Sequence, residues 1–315
     1  MKESVFVKKN TEKWKRYEST PTDDPDQLTA RFIELTDDLS YARTFYPNAA
    51  VTQYLNGITA QFHQKLYANK REDRNRIVSF WRYELPLLMY ESRFKLWYSF
   101  LFFIGACIVG WLSAANDDTF VRLILGDAYV NQTLENIEEG EPLGIYASAP
   151  QGDMFLSITF NNIGGSFNTF ALGIVGSLGT ISMLFRNGVM LGAFQYFFYE
   201  RDLLMASILK VWIHGTLEIS AIVIAGAAGL VMGHSLLFPK TYSRLTSFKE
   251  GAKKGLKMVI GLVPVFVVAG FLESFITRLS LHPVVSSIII LVSASFIVWY
   301  FVLYPRKIYQ QSLSL

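Results

Sequence analysis

Lys210, His214 and Glu218 stand at i, i+4 and i+8 within KVWIHGTLEISAIVIAGAAGLVMG (210–233), a stretch otherwise dominated by Ala, Val, Ile, Leu and Gly. On a helix they share one face, about one turn apart each. A charge at mid-membrane costs at least about 2.5–3.5 kcal/mol, so such groups must be paired, hydrated or neutral. Arg186, Asn187 and Glu273 are further polar residues in neighbouring apolar segments. Three chemistries fit. The first is a polar lock between helices. The second is a proton or ion path, which needs a titratable histidine beside a carboxylate. The third is a metal site, since His and Glu at i, i+4 can chelate on one face. Zinc, however, usually takes three protein ligands. The chain has only His63, His214, His234 and His282, and no HExxH. The residues favour the lock over the path and the path over the metal, and no metal or cofactor is expected. No nucleophile elbow, P-loop or dinucleotide fingerprint occurs, so an enzyme is not expected.

The elements that would carry these groups follow from hydropathy. The 315 residues are 51% hydrophobic with a mean hydropathy of +0.27. Residues 1–94 are polar and charged, whereas long apolar blocks begin at 96, so a membrane domain follows a soluble segment. No apolar leader precedes it, and the first span is expected to direct insertion itself. The single cysteine, Cys107, excludes an internal disulfide or thiolate cluster. Within 1–76, a cytoplasmic helical segment, Asp24-Pro25 reads as a helix start. Leu28, Phe32, Leu35, Leu39 and Ala42 follow at helical spacing up to Pro47, and Val51 to Leu66 form a second stripe. Residues 77–94 mix Trp81, Tyr83 and Tyr90 with Arg82 and Arg93 and read as an amphipathic helix in the membrane interface.

The membrane domain is expected over 95–305, with a tail at 306–315. Residues 96–115 are the first span. The loop 116–166 carries Asp117, Asp118, Asp127, Glu135, Glu138, Glu139, Glu141 and Asp153 against Arg122 alone, and includes an expected helix at Phe120–Ile137. Its lack of Lys and Arg puts it outside and the N-terminus inside. The loop 238–257, with Lys240, Arg244, Lys249, Lys253, Lys254 and Lys257, is expected inside, as is the C-terminus after Arg306 and Lys307. Between lie an apolar block at 167–185, the FRNG sequence at 185–188, a short piece at 189–199 and the span 203–237. The last spans are 258–276 and 284–304. The piece 189–199 is about 17 Å long as a helix. Either it is a half-helix among six segments, or 167–199 is a re-entrant hairpin with four full crossings; the plainer alternative is a close-packed helical hairpin turning at Asn187 and Gly188.

Gly188 and Gly192 form one GxxxG and Gly229 and Gly233 another, the pattern of close helix approach in lipid or of a dimer seam. Asn161 and Asn162 before a Gly-rich span, then Asn187, Gly188 and Gly192, then His214, Gly215, Glu218, Gly226 and Gly229, resemble the stage II sporulation protein M family in order and type. The resemblance covers roughly 77–305. It implies a multi-spanning scaffold that gathers cell-envelope proteins, peptidoglycan-remodelling ones included, and carries no catalytic assignment. The expected fold class is thus an all-α polytopic membrane protein. The expected function is a non-enzymatic scaffold; the alternative is a transporter or channel-like subunit using the Lys/His/Glu cluster. The expected surroundings are the lipid bilayer of the cytoplasmic membrane, a homo-oligomer such as a dimer, and other membrane or envelope proteins, with no nucleic acid.

Overall fold

The structure, a computed structural model, describes residues 1–20, 22, 24–68, 76–140, 142–144 and 150–313. Glu141, counted above in the acidic stretch, lies outside them. The described residues form helices and no strands. They divide into two compact units, residues 1–77 and 78–315, the division falling in α4 (Arg76–Ser79).

The first unit holds α1 (Glu3–Ser19), α2 (Pro25–Phe45) and α3 (Ala50–Ala68). Asp24 caps α2, its side chain accepting from the Asp26 backbone N–H at 3.0 Å, and the helix ends two residues before Pro47. Leu28, Leu35, Leu39 and Ala42 of the α2 stripe are buried with Val51, Leu55, Ile58 and Phe62 of α3. Trp14 of α1 fills their centre at 2% exposure. Its indole N–H donates to Asp38 at 2.8 Å, and Lys13 pairs with the same carboxylate at 2.6 Å. Tyr17 donates to Glu34 at 2.7 Å; burial and that carboxylate push its hydroxyl pKa up.

The second unit continues through a π-turn (Phe80–Glu84) into α5 (Leu85–Glu91). A π-turn loosens the regular backbone ladder. Here the Trp81 carbonyl accepts from the Tyr300 hydroxyl at 2.6 Å and the Arg82 carbonyl from Tyr304 at 3.0 Å. Leu85, Leu88 and Met89 are buried, and Leu85 fits where Gly261 has no side chain.

Then follow α6 (Arg93–Asn116), α7 (Phe120–Leu125), α8 (Asp127–Glu138), α9 (Gln151–Ala171), α10 (Leu178–Tyr199), α11 (Leu204–Leu237) and α12 (Arg244–Phe271), which runs on in a π-turn (Leu272–Ile276). The chain closes with α13 (Pro283–Val298), a π-turn (Trp299–Leu303) and α14 (Tyr304–Ser312). Among the described residues, four helices are long and apolar enough to cross a membrane: Arg93–Asn116, Leu204–Leu237, Arg244–Ile276 and Pro283–Ser312. The protein is therefore an all-α polytopic membrane protein. Of these, α11 is the central pillar: 61% of its apolar window is buried inside the protein, against 17% for Pro283–Ser312.

Four expectations are corrected. First, no turn occurs at FRNG: α10 runs unbroken through Asn187 and Gly188. The reversal lies earlier, at Leu172–Ser177, where Gly176 (φ 57°) and Ser177 (φ 73°) take the left-handed conformation. Gly188 serves packing instead. A Cβ there would fall 2.6 Å from the Ala106 Cβ and 2.7 Å from the Phe103 carbonyl oxygen of α6. Second, the end of the acidic stretch is helical, since α9 begins at Gln151 and carries Asp153. Third, the expected helix at 120–137 is broken at Gly126 (φ 87°), giving α7 and α8. Fourth, much of the expected loop 238–257 is helical. Ser243 caps α12 by accepting from the Thr246 N–H at 3.2 Å. Its lysines then pair back, Lys254 with Glu91 at 2.8 Å and Lys257 with Glu84.

The glycine pattern is consumed within the chain. Gly192 lies on the Cys107 carbonyl, Gly173 on Gly229, Gly226 against Leu184, and Gly233 against Ser177. Interhelical hydrogen bonds accompany them. Ser99 donates to the Val223 carbonyl at 2.6 Å and Thr180 to the Thr169 carbonyl at 2.7 Å. Close backbone approach and such bonds are what hold helices together where lipid offers no hydrophobic drive.

Candidate functional site

The α9–α10 hairpin leaves a cavity of about 780 Å³ between itself and α11. Its wall is polar for a membrane domain: Asn161, Asn162, Asn168 and Asn187, then Ser166 and Thr169, then Glu218 and Glu273. Asn161 and Asn168 stand seven residues apart on α9, two turns along one face, with Gly164 and Gly165 between them. A Cβ at either glycine would meet nothing within 4 Å, so both keep the wall thin rather than serve a packed contact. Ile124 and Leu125 of α7 and Tyr129 of α8 also reach the cavity. A space of this size holds on the order of twenty waters. Ser166 is 1% exposed, and its hydroxyl has no hydrogen-bond partner among the described residues. A buried polar atom in that position is met by water or a ligand.

The carboxylates of the acid–base cluster, Glu218 and Glu273, line the cavity, and His214 lies beside them. His214 is 4% exposed. Its Nε2 lies 3.8 Å from Glu273 Oε1, and its Nδ1 lies 3.0 Å from Thr277 Oγ1. The Thr277 hydroxyl donates to the Leu272 carbonyl at 3.1 Å. With its one proton so committed, Oγ1 accepts from the ring, which assigns N–H to Nδ1 and the lone pair to Nε2. Glu218, one turn beyond His214, shares the cavity wall with Asn162. Coordinating atoms of His214, Glu218 and Glu273 all lie within 4.8 Å of one another. The π-turn Leu272–Ile276, with the Thr277 N–H bonded back to the Leu272 carbonyl at 2.8 Å, sets Glu273 and Thr277 on the face that meets α11.

Among the residues singled out in the sequence, the structure brings together His214, Glu218 and Glu273, with Asn161, Asn162, Asn187 and Gly215 on the cavity wall. Asn187 Nδ2 donates to the Met183 carbonyl at 2.8 Å. It leaves two out. Arg186 is exposed and does not line the cavity, and Lys210 is half-buried, does not line the cavity and forms no ion pair with either carboxylate. Gly188, Gly192, Gly226 and Gly229 are packing glycines. Sequence reasoning missed Thr277, Ser166, Thr169 and Asn168. Of these only Asn168 carried a signal, its seven-residue spacing from Asn161.

Fold and site together define a polytopic helical membrane protein with a polar cavity inside its helix bundle. Its residues 99–278 match the model of the family described as Stage II sporulation protein M. The match covers more than half of the chain, which belongs to that family. Residues 4–68 match a domain of unknown function (DUF8413). No curated protein and no solved structure matches the chain.

Proposed function

We propose that the protein is a transport or channel-like membrane subunit that takes a small cation into the cavity between α9, α10 and α11. The observation that carries this reading is the pair of carboxylates, Glu218 and Glu273, on the wall of a space lined by four asparagines. A polar lock needs complementary groups packed against each other. A cavity of about 780 Å³ beside them is what a hydrated path needs. Asparagine side chains replace hydration for a cation without adding charge, and the two carboxylates attract it. Lys210 and Arg186 play no part in this reading. The N-terminus, the lysine-rich start of α12 and the tail after Arg306 face the cytoplasm by the positive-inside rule, with α7 and α8 outside. The scaffold role implied by the family rests on membership alone, and an oligomer rests on no feature of the described surface.

The test is cation flux into proteoliposomes holding indicator dyes for protons, monovalent cations and divalent cations. The expected result is flux of at least one cation that falls about tenfold or more in Glu218→Gln and Glu273→Gln, with both variants monodisperse. No flux, or flux unchanged in the double variant, contradicts the reading.

A further inference from the structure

We infer that His214, Glu218 and Glu273 form a binding site for a divalent transition-type cation, with the imidazole Nε2 and one oxygen of each carboxylate as ligands. Three observations converge on it. The three groups come from two helices and bring their coordinating atoms within 4.8 Å of one another. Ligands at about 2.0–2.2 Å from a common ion stand about 3.0–3.4 Å apart, so rotamer adjustments of roughly an ångström close the site. Next, the ring is held for ligation. Thr277 Oγ1 accepts from Nδ1–H at 3.0 Å while donating to the Leu272 carbonyl, which leaves the lone pair on Nε2, 3.8 Å from Glu273. An outer hydrogen bond of this type orients metal-bound histidines and raises their basicity. Finally, charge balances: two carboxylates and a neutral imidazole sum to −2, which one divalent ion cancels in a medium where net charge is costly.

The donor set selects the ion. Imidazole nitrogen with two carboxylates suits Zn²⁺, Mn²⁺, Fe²⁺ or Co²⁺ better than Mg²⁺ or Ca²⁺, which favour oxygen alone. Three protein ligands leave a coordination position for water or a solute. Glu218 and Glu273 both line the cavity, and Ser166, with its unpartnered hydroxyl, belongs to the same wall. The inference names the ion class for the cation reading above and rests on that reading for its biological role, while the binding stands on the geometry.

The experiment is titration of the purified, chelator-stripped full chain with Co²⁺, read by its visible absorption, and with Zn²⁺, read by elemental analysis after gel filtration. The expected result is one ion per chain, unmoved by millimolar Mg²⁺. Glu273→Gln and Glu218→Gln, near-isosteric and checked for monodispersity, each abolish it. Thr277→Val keeps the count at saturation but weakens affinity about 10–100-fold. If the wild-type chain retains no ion, or Mg²⁺ competes equally, or folded Glu273→Gln binds as wild type does, the site is overturned. The wild-type titration decides even if a variant misfolds. An ion bound without flux keeps the site and refutes transport, whereas flux without a bound ion does the reverse.

Discussion

At the scale of single residues, the placing of His214 and Glu218 on one helix face was legible from spacing alone, since i, i+4 neighbours share a face on any helix. The extension to Lys210 was too generous. Four residues turn a helix by about 400°, so a stripe at that spacing drifts about 40° per step, and the third member leaves the face. Hence Lys210→Gln is expected to leave cation flux within about twofold of wild type, in contrast to the loss in Glu218→Gln, and the same proteoliposome assay reads both. Glu273 was visible as an intramembrane carboxylate, but its meeting with His214 depends on which faces of α11 and α12 touch. Local periodicity does not encode that, and Thr277 was hidden for the same reason.

At the scale of elements, the apolar spans were legible because their hydrophobic runs exceed the bilayer thickness. The α9–α10 hairpin was not. Asn161, Asn162 and Asn168 lower the apolar signal of α9, and the NG pair at 187–188 imitates a turn. The true reversal uses Ser177 at φ 73°, where a side chain is disfavoured and no cap hydrogen bond compensates. Ser177→Gly is therefore expected to raise stability by roughly 1 kcal/mol, seen as a higher unfolding midpoint in detergent. The glycines sort in the opposite sense. Gly192→Ala drives a methyl into the Cys107 backbone, which cannot swing aside, and costs about 1–3 kcal/mol. Gly165→Ala points its methyl into open space and is expected to change the midpoint little. Equal effects from the two would mean that α6 and α10 do not approach as described.

At the scale of the whole molecule, composition separates two kinds of unit, one built on amphipathic stripes and one on spans. Residues 1–77 have their own core around Trp14, so that fragment is expected to fold alone into a helical domain with a cooperative melt. Trp14→Ala removes about 3–5 kcal/mol and should leave it unfolded, because so small a core has little in reserve. Circular dichroism checks both. For the membrane unit the central claim is that the space beside Glu218 and Glu273 is wet. The most direct measurement is labelling by a membrane-impermeant maleimide in a Cys107→Ala background. It compares Asn187→Cys on the cavity wall with Leu101→Cys, 59% exposed on the outer face of α6. A thiol in water ionises and reacts, whereas one in lipid or dry protein does not. The account predicts labelling at position 187 at least about tenfold faster than at 101; equally slow labelling at both, in folded protein, would contradict it.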